Sequence, residues 1–329
     1  MPRGSERGGE RIGVAGGAVV SSETGSVGIP RLRVGAEVRS ALGGGRPVVA
    51  LETSVIGQGL PHPRNLECID RMAGAIHAAG ADPAWVGVLS GEVVVGLSDE
   101  ELGPFTEPGR AEKVARRDLP AACARGGPGA TTVSATIWAA ARAGIRVSAT
   151  GGIGGVHPGE RLDVSADLME LSRTPGLLVC SGPKSIVDPM ATAERLEELG
   201  VSVVGYGVDR LPFFLAREAP VELEHRVDSP EEAAAALAAS ISLETRSVLL
   251  LCNPIAAASA MDAEEVAAAV QRCEEGAEHE GVRGPDRSPY LLHCLARETD
   301  GRSLAANLVL LESNAALAGS IASAFASGR

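Results

Sequence analysis

The sequence of 329 residues has few aromatic residues and almost no lysine. Phe, Trp and Tyr make up 2 % of the chain, so its core must be built from Ala, Val, Leu and Ile. Lysine occurs only at Lys113 and Lys184, and every other basic position is arginine. The formal net charge of −12 repels phosphate backbones. A general nucleic-acid binder is therefore a poor interpretation.

Patterns typical of metal-binding, secreted and membrane proteins are also missing. None of the six cysteines forms a C-x-x-C pair, which argues against structural zinc or a disulfide framework. We expect six free thiols in a reducing compartment. No apolar run reaches the roughly 20 residues that span a bilayer. The N-terminal stretch lacks the apolar region and cleavage signal of a secretory peptide. The sequence thus predicts a cytoplasmic protein that does not enter membranes.

The chain divides into a tail and one domain. Residues 1–28 are rich in Gly, Ser and Arg, which predicts a disordered N-terminal tail. Residues 29–329 alternate between strand and helix patterns without a repeat or linker, which predicts a single catalytic domain. Alternation with apolar, β-branched strands predicts a three-layer α/β/α sandwich around a mixed, largely parallel sheet. The clearest elements are helices over 64–79, 130–144 and from Ser303, buried strands over 47–56, 176–180, 201–206 and 247–254, and a hairpin turned at Ser90–Gly91.

Ligands in such folds lie beyond the carboxyl ends of the strands. Four places qualify here: the glycines and His157 after Thr150, the turn from Ser181 to Ser185, Asn253, and Glu52 within its strand.

The first of these places is TGGIGGVHPGERLDVSADLMEL, which begins at Thr150. It does not fit a dinucleotide loop, because His157 stands where G-x-G-x-x-G needs its third glycine. Asp163 and Asp167 are four residues apart and share a face if Asp163 begins the helix. Their oxygens suit Mg²⁺ or Mn²⁺, but an aspartate that caps a helix has the same spacing. The spacing leaves both interpretations open.

Lys184 follows an apolar strand and a Gly-Pro turn. Apolar walls and a nearby helix N-terminus both disfavour the ammonium form. A neutral lysine is the nucleophile of Schiff-base chemistry on sugar carbonyls. The alternative is a surface lysine, against which the scarcity of lysine in this chain argues.

Glu52 and Lys113 are two further candidates. Glu52 lies inside an apolar strand, where a carboxyl is either a general acid or one half of a structural ion pair. Lys113 and the arginines after it precede a helix start at Thr131 and Thr132, where free N–H groups can hold a phosphate. A solvated run of charges is the alternative.

Several segments, in order and spacing, resemble the pseudouridine-5′-phosphate glycosidase family. They span about Val49 to Ala318 and include VALETSVIGQGLPHPRNLE, GATTVSAT, ATGGIGGVHPGERLDVSADLMELSRTP, VCSGPKSIVD and GRSLAANLVLLESNAALA.

The resemblance implies a lyase that uses water to cleave the C–C glycosidic bond of pseudouridine 5′-phosphate reversibly. The products are uracil and ribose 5-phosphate. It also implies an α/β/α fold, a homotrimer and a divalent cation, usually Mn²⁺. Glu52 corresponds to the proton donor, Lys184 to the lysine that bonds to C1′ of an opened ribose, and Asp163 to the metal ligand. The family's positions that bind substrate or line the site are occupied in this sequence by Lys113, Val133, His157, Ser165, Ala166, Asp167 and Asn307.

Two other functions are compatible with these residues. One is a different Schiff-base enzyme acting on ribose phosphates, such as an aldolase or isomerase. The other is a nucleotide-sensing module that has lost turnover, although the joint presence of Glu52, Asp163 and Lys184 argues against it. Dependence of the reverse reaction on uracil would separate the first from a glycosidase.

Overall fold

The computed structural model describes residues 31–159 and 163–328. The predicted tail, residues 1–28, lies outside the described residues. Residues from Arg31 onward form one compact unit.

Eleven strands and eleven α-helices are present in the described residues. The strands are β1 Leu32–Val34, β2 Val48–Glu52, β3 Asp82–Leu89, β4 Glu92–Val95, β5 Glu112–Val114, β6 Gly129–Thr131, β7 Val147–Ala149, β8 Gly176–Cys180, β9 Ser202–Tyr206, β10 His225–Val227 and β11 Val248–Cys252. The helices are α1 Ala36–Gly43, α2 Arg64–Ala78, α3 Asp99–Thr106, α4 Leu119–Arg125, α5 Val133–Ala143, α6 Ala166–Leu171, α7 Pro189–Glu198, α8 Pro230–Ser242, α9 Ala263–His279, α10 Arg287–Glu298 and α11 Arg302–Ser327. A short π-helix, Val55–Gly59, directly follows β2.

The strands form one sheet in the order β1-β4-β3-β2-β7-β8-β11-β9-β10, and β6 pairs with both β3 and β5. All pairs are parallel except β3 with β4 and β3 with β6. The β3–β4 hairpin turns at Ser90 and Gly91, whose φ angles of 51° and 81° match the twist of the flanking strands. The predicted mixed, largely parallel sheet is therefore confirmed.

Alternate side chains of β2 enter opposite layers, because successive residues of a strand point to opposite faces. Val49 and Leu51 pack with α2, α8 and α11, whereas Val48 and Ala50 pack with α1, α4 and α5. Strands β2, β8 and β11 each have five residues, and all of these residues are buried. Burial on both faces explains their continuous apolar sequence and confirms the three-layer sandwich.

One expectation needs correction. Cys273 and Cys294 form a disulfide between α9 and α10, with Cα atoms 5.7 Å apart, so only four of the six cysteines are free. Their separation of 21 residues matched no motif, and only the packing of the two helices brings them together. By length and composition alone, helix α11 could cross a membrane. It packs against α2, α8 and the sheet instead, as the core helix of a soluble protein.

Candidate active site

The candidate active site lies at the carboxyl ends of β2, β7 and β8, where the topology predicts a ligand. A cleft there has two adjoining lobes. Five residues line both lobes: Glu52, Ser54, Lys113, Lys184 and Ser288. The first lobe adds Val55, Gln58, Gly59, Thr150, Gly151, Gly152, Phe214, Pro289, Leu292 and Asn307. Among other residues, the second lobe adds Arg117, Thr132, Gly154, His157, Asp163, Ser165, Ala166 and Asp167.

Glu52 ends β2 and is 4 % exposed. The hydroxyl of Thr150 donates to its Oε1, and that of Ser54 donates to its Oε2 over 2.5 Å. No arginine or lysine of the described chain forms an ion pair with Glu52, so the ion-pair alternative is wrong. Hydroxyl donors fix both carboxyl oxygens at the cleft, which suits a group that exchanges protons with a ligand.

The only two lysines of the chain meet in the cleft. Lys113 lies on the short strand β5, and Lys184 lies in the turn after β8, where its N–H donates to the Ile153 carbonyl over 3.0 Å. Burial lowers the pKa of Lys113 below its ordinary value, and the charge of Lys184 lowers it further. Asp167 and Glu52 oppose these effects. Lys184 is partly buried in the cleft, and the surface-lysine interpretation is wrong.

The glycine-rich loop after Thr150 owes its composition to close packing. A Cβ on Gly154 would lie 2.3 Å from Ser165 Oγ, and one on Gly155 would lie 2.3 Å from Thr192 Oγ1. Asp167, 5 % exposed, accepts from the N–H groups of Gly154 and Ser134 over 3.1 and 3.0 Å. Its carboxylate thus ties the loop to the start of α5.

Helix α6 begins later than Asp163. Ser165 is its N-cap, and the Ser165 hydroxyl accepts from the Asp167 N–H. Asp163 lies in the loop, two residues before this cap. The helix-cap interpretation of Asp163 is therefore wrong, and Asp163 and Asp167 do not share a helix face. Asp163 is partly buried and lines the second lobe.

The described residues around Asp163 form no enclosed cation site. Within residues 31–159 and 163–328, no three His, Cys, Asp or Glu side chains form a group that could enclose a metal ion. Both oxygens of Asp167 already accept backbone N–H groups. These residues fit a hydrated Mg²⁺ or Mn²⁺ that keeps most of its waters and binds one carboxylate.

His157 is 8 % exposed, and its backbone N–H donates to the Asp163 carbonyl over 2.9 Å. Burial lowers the pKa of His157, and the charges of Arg287, Lys113 and Lys184 lower it further, against the opposing effect of Asp163. A neutral ring at pH 7 follows. Its Nδ1 has no partner among the described residues, so it can accept or donate one bond to a ligand.

Sequence reasoning missed the contribution of α10. Ser288, Pro289 and Leu292 from its first turns line the cleft, and Ser288 Oγ lies 3.5 Å from His157 Nε2. The disulfide and a partly buried Arg287–Glu274 ion pair join α10 to α9. No motif signals this, because α10 reaches the cleft only through tertiary packing.

A buried asparagine connects α11 to three of the strand ends. The Asn314 side chain is fully buried, and its Nδ2 donates to the Thr150 carbonyl over 2.8 Å and to Ser181 Oγ over 3.1 Å. Its Oδ1 accepts from Asn253 Nδ2 over 2.9 Å. Asn314 thereby fixes the backbone of Thr150, while the Thr150 hydroxyl donates to the Glu52 carboxyl. The sequence signal for this group is a second asparagine seven positions after Asn307 in a mostly apolar helix.

Two predicted substrate positions do not line either lobe. The side chain of Thr131 is fully buried and bonds to Val86 and Thr136, and Val133 packs in the core beneath the cleft. Thr132 does line the second lobe and, as the N-cap of α5, makes no side-chain capping bond. The helix begins at Val133, three residues later than predicted, because 129–131 pair as β6.

Comparison with known proteins assigns the chain to a family. The sequence profile described as "Indigoidine synthase A like protein" matches residues 37–324. A pseudouridine-5′-phosphate glycosidase of Saccharopolyspora erythraea is 46 % identical over 295 residues, which is 89 % of this chain and 97 % of the relative. One of Gemmatimonas aurantiaca is 47 % identical over 298 residues, or 91 % and 97 % of the two chains. The chain belongs to the pseudouridine-5′-phosphate glycosidase family.

Two solved structures have the same fold. The prealnumycin C-glycosynthase AlnA, in complex with ribulose 5-phosphate, superposes with a TM-score of 0.84 at 39 % identity, covering 92 % of this chain and 99 % of AlnA. An indigoidine synthase A-like protein of Thermotoga maritima has a TM-score of 0.81 at 38 % identity, covering 88 % and 95 % of the chains.

Proposed function

We propose that this protein is an enzyme that cleaves pseudouridine 5′-phosphate with water to give uracil and ribose 5-phosphate, and that it catalyses the reverse reaction. The observation that carries the proposal is one cleft that gathers a buried carboxyl and the only two lysines of the chain. Family membership at 42–47 % identity to glycosidases of that name supports it.

The chemistry explains why a lysine is needed. A base bonded through carbon has no heteroatom leaving group, so the paired carboxylates of ordinary glycosidases would not suffice. In the proposed route the C1′–O4′ bond breaks, O4′ takes a proton, and the Lys184 amine bonds to C1′.

Glu52 then protonates C5 of the base. The C1′–C5 bond breaks, its electron pair returns to the uracil ring, and the nitrogen lone pair of Lys184 forms a C=N bond to C1′. Water hydrolyses this imine, which releases ribose 5-phosphate and frees the lysine.

The second lobe suits the phosphate of the substrate. Lys113 and Arg117 supply positive charge, and Thr132 lies at the N-terminus of α5, where N–H groups favour an anion. Asp163 would hold a hydrated Mn²⁺, which when bound supplies positive charge beside the phosphate. An anion there also favours the charged form of Lys113, which burial otherwise disfavours.

Synthesis of a C–C glycosidic bond to an acceptor other than uracil is a second candidate function. Its support is the 39 % identity to AlnA, which is named a C-glycosynthase. The two functions differ in the base that the first lobe accepts.

The deciding experiment mixes the protein with uracil, ribose 5-phosphate and Mn²⁺ and follows pseudouridine 5′-phosphate by chromatography. Formation with uracil, and cleavage of the isolated product, supports the glycosidase. No reaction in either direction overturns it. We further propose a homotrimer located in the cytoplasm, which light scattering and cell fractionation would test.

A further inference from the structure

The first lobe contains two side-chain oxygens that lack partners. Gln58 Oε1 and Asn307 Oδ1 are both buried, and no donor from the described residues reaches either. Leaving a buried acceptor unpaired is unfavourable, because the group loses its hydrogen bonds to water and gains none in return. Two of them in one small cavity indicate that a ligand supplies the missing donors.

The orientation of the Gln58 amide is fixed. Its Nε2 donates to the Ala111 carbonyl over 2.8 Å, and since a carbonyl can only accept, the nitrogen must face Ala111. The oxygen is therefore the atom available to a ligand. Gln58 lies in the π-helix that follows β2, six residues after Glu52, so the same segment supplies both groups.

The walls of this lobe suit a flat ring. Val55, Leu292 and Phe214 supply apolar surface, and Phe214 is one of only eight aromatic residues in the chain. Phe214 has a φ of 55°, which is unfavourable for a bulky residue. Its N–H donates to the Ser181 carbonyl over 2.7 Å, which holds the ring against Gly152. Strained residues of this kind cluster at ligand sites.

We propose that Gln58, together with Asn307, determines the specificity of the enzyme for its base by accepting the ring N–H groups of a carbon-linked pyrimidinedione. Such a base has both ring nitrogens unsubstituted and presents two N–H donors. In a nitrogen-linked nucleotide the sugar occupies N1 and leaves one donor. Two acceptors therefore favour a C-nucleotide over its N-linked isomer before any bond breaks. This inference rests on the proposed function.

The test compares pseudouridine 5′-phosphate with its N1-methyl and N3-methyl derivatives. Wild-type kcat/KM should fall about 10- to 100-fold with each methylated substrate, because a buried acceptor loses its donor. Gln58→Met keeps the length of the side chain but has no oxygen. It should cleave the parent more slowly and discriminate against one derivative by less than about threefold. Gln271→Met, at the only other glutamine, lies on the surface of α9 and should retain both wild-type ratios.

Unchanged discrimination in Gln58→Met, or wild-type cleavage of both derivatives at nearly the parent rate, overturns the inference. If circular dichroism shows that Gln58→Met is unfolded, Gln58→Leu replaces it. If the wild type does not cleave the parent at all, the proposed function fails separately. In that case the inference is tested by calorimetry, which measures how tightly the wild type and the variant bind uracil, 1-methyluracil and 3-methyluracil. The inference is overturned if methylation does not weaken binding to the wild type.

Discussion

Replacing Asn314 with leucine should destabilise the protein and disturb its active site together. The substitution keeps a similar volume but removes the donor to the Thr150 carbonyl and both bonds to Ser181. Asn253 keeps a bond to Ser313 and is affected less. Two buried polar groups left without partners cost about 1–3 kcal/mol each, so we expect a loss of about 2–6 kcal/mol.

Urea unfolding followed by circular dichroism measures this loss directly. We expect the melting temperature to fall by roughly 3–10 °C. Turnover should fall as well, since Thr150 holds Glu52. Ser313→Ala is the matched control, because it removes only the bond to Asn253 and should cost about 1 kcal/mol or less. An Asn314→Leu variant within about 0.5 kcal/mol of wild type would refute the assigned role of this network.

Three further predictions concern the cleft. Glu52→Gln keeps the shape but cannot transfer a proton, so turnover should fall about 100-fold or more; near-normal turnover across pH would identify another donor. Asp163→Asn should lose most of its activation by Mn²⁺ with the melting temperature unchanged, and an unaltered Mn²⁺ titration after chelation would exclude Asp163 as a ligand. Lys113→Met should reduce kcat/KM for the phosphorylated substrate yet raise the free energy of unfolding at pH 7. The folded-state pKa of Lys113 lies below its unfolded value. Its charged form therefore opposes folding below the folded pKa, and this cost disappears as pH rises towards 10.5. A variant less stable than wild type at pH 7 would contradict that sign.

The central fold could be predicted because its strands are buried on both faces. Strand β8 has the predicted bounds, because its apolar run begins at Gly176 and stops before Ser181. Strands β1, β5 and β10 were not predicted, because three-residue strands carry no periodic signal. The disulfide depends on how α9 packs against α10, which spacing in sequence does not encode.

The active site was predictable where a residue type was unusual for its surroundings. Glu52 interrupts an apolar strand, and Lys184 is one of two lysines in an arginine-rich chain. The partners of these groups were less visible. Ser54 is a common residue in an ordinary position, and Gln58 lies on a π-helix whose geometry the sequence pattern does not indicate. Their roles follow from hydrogen bonds that only the fold creates.

Covalent trapping tests the assigned mechanism most directly. The protein is incubated with ribose 5-phosphate, the imine is reduced with borohydride, and the digest is examined by mass spectrometry. We predict a secondary amine on the peptide that contains Lys184, while Lys184→Arg shows neither adduct nor turnover because a guanidinium is not a usable nucleophile. An adduct on Lys113 instead, or turnover by Lys184→Arg, would contradict the account and leave a mechanism that uses acid and metal without an imine.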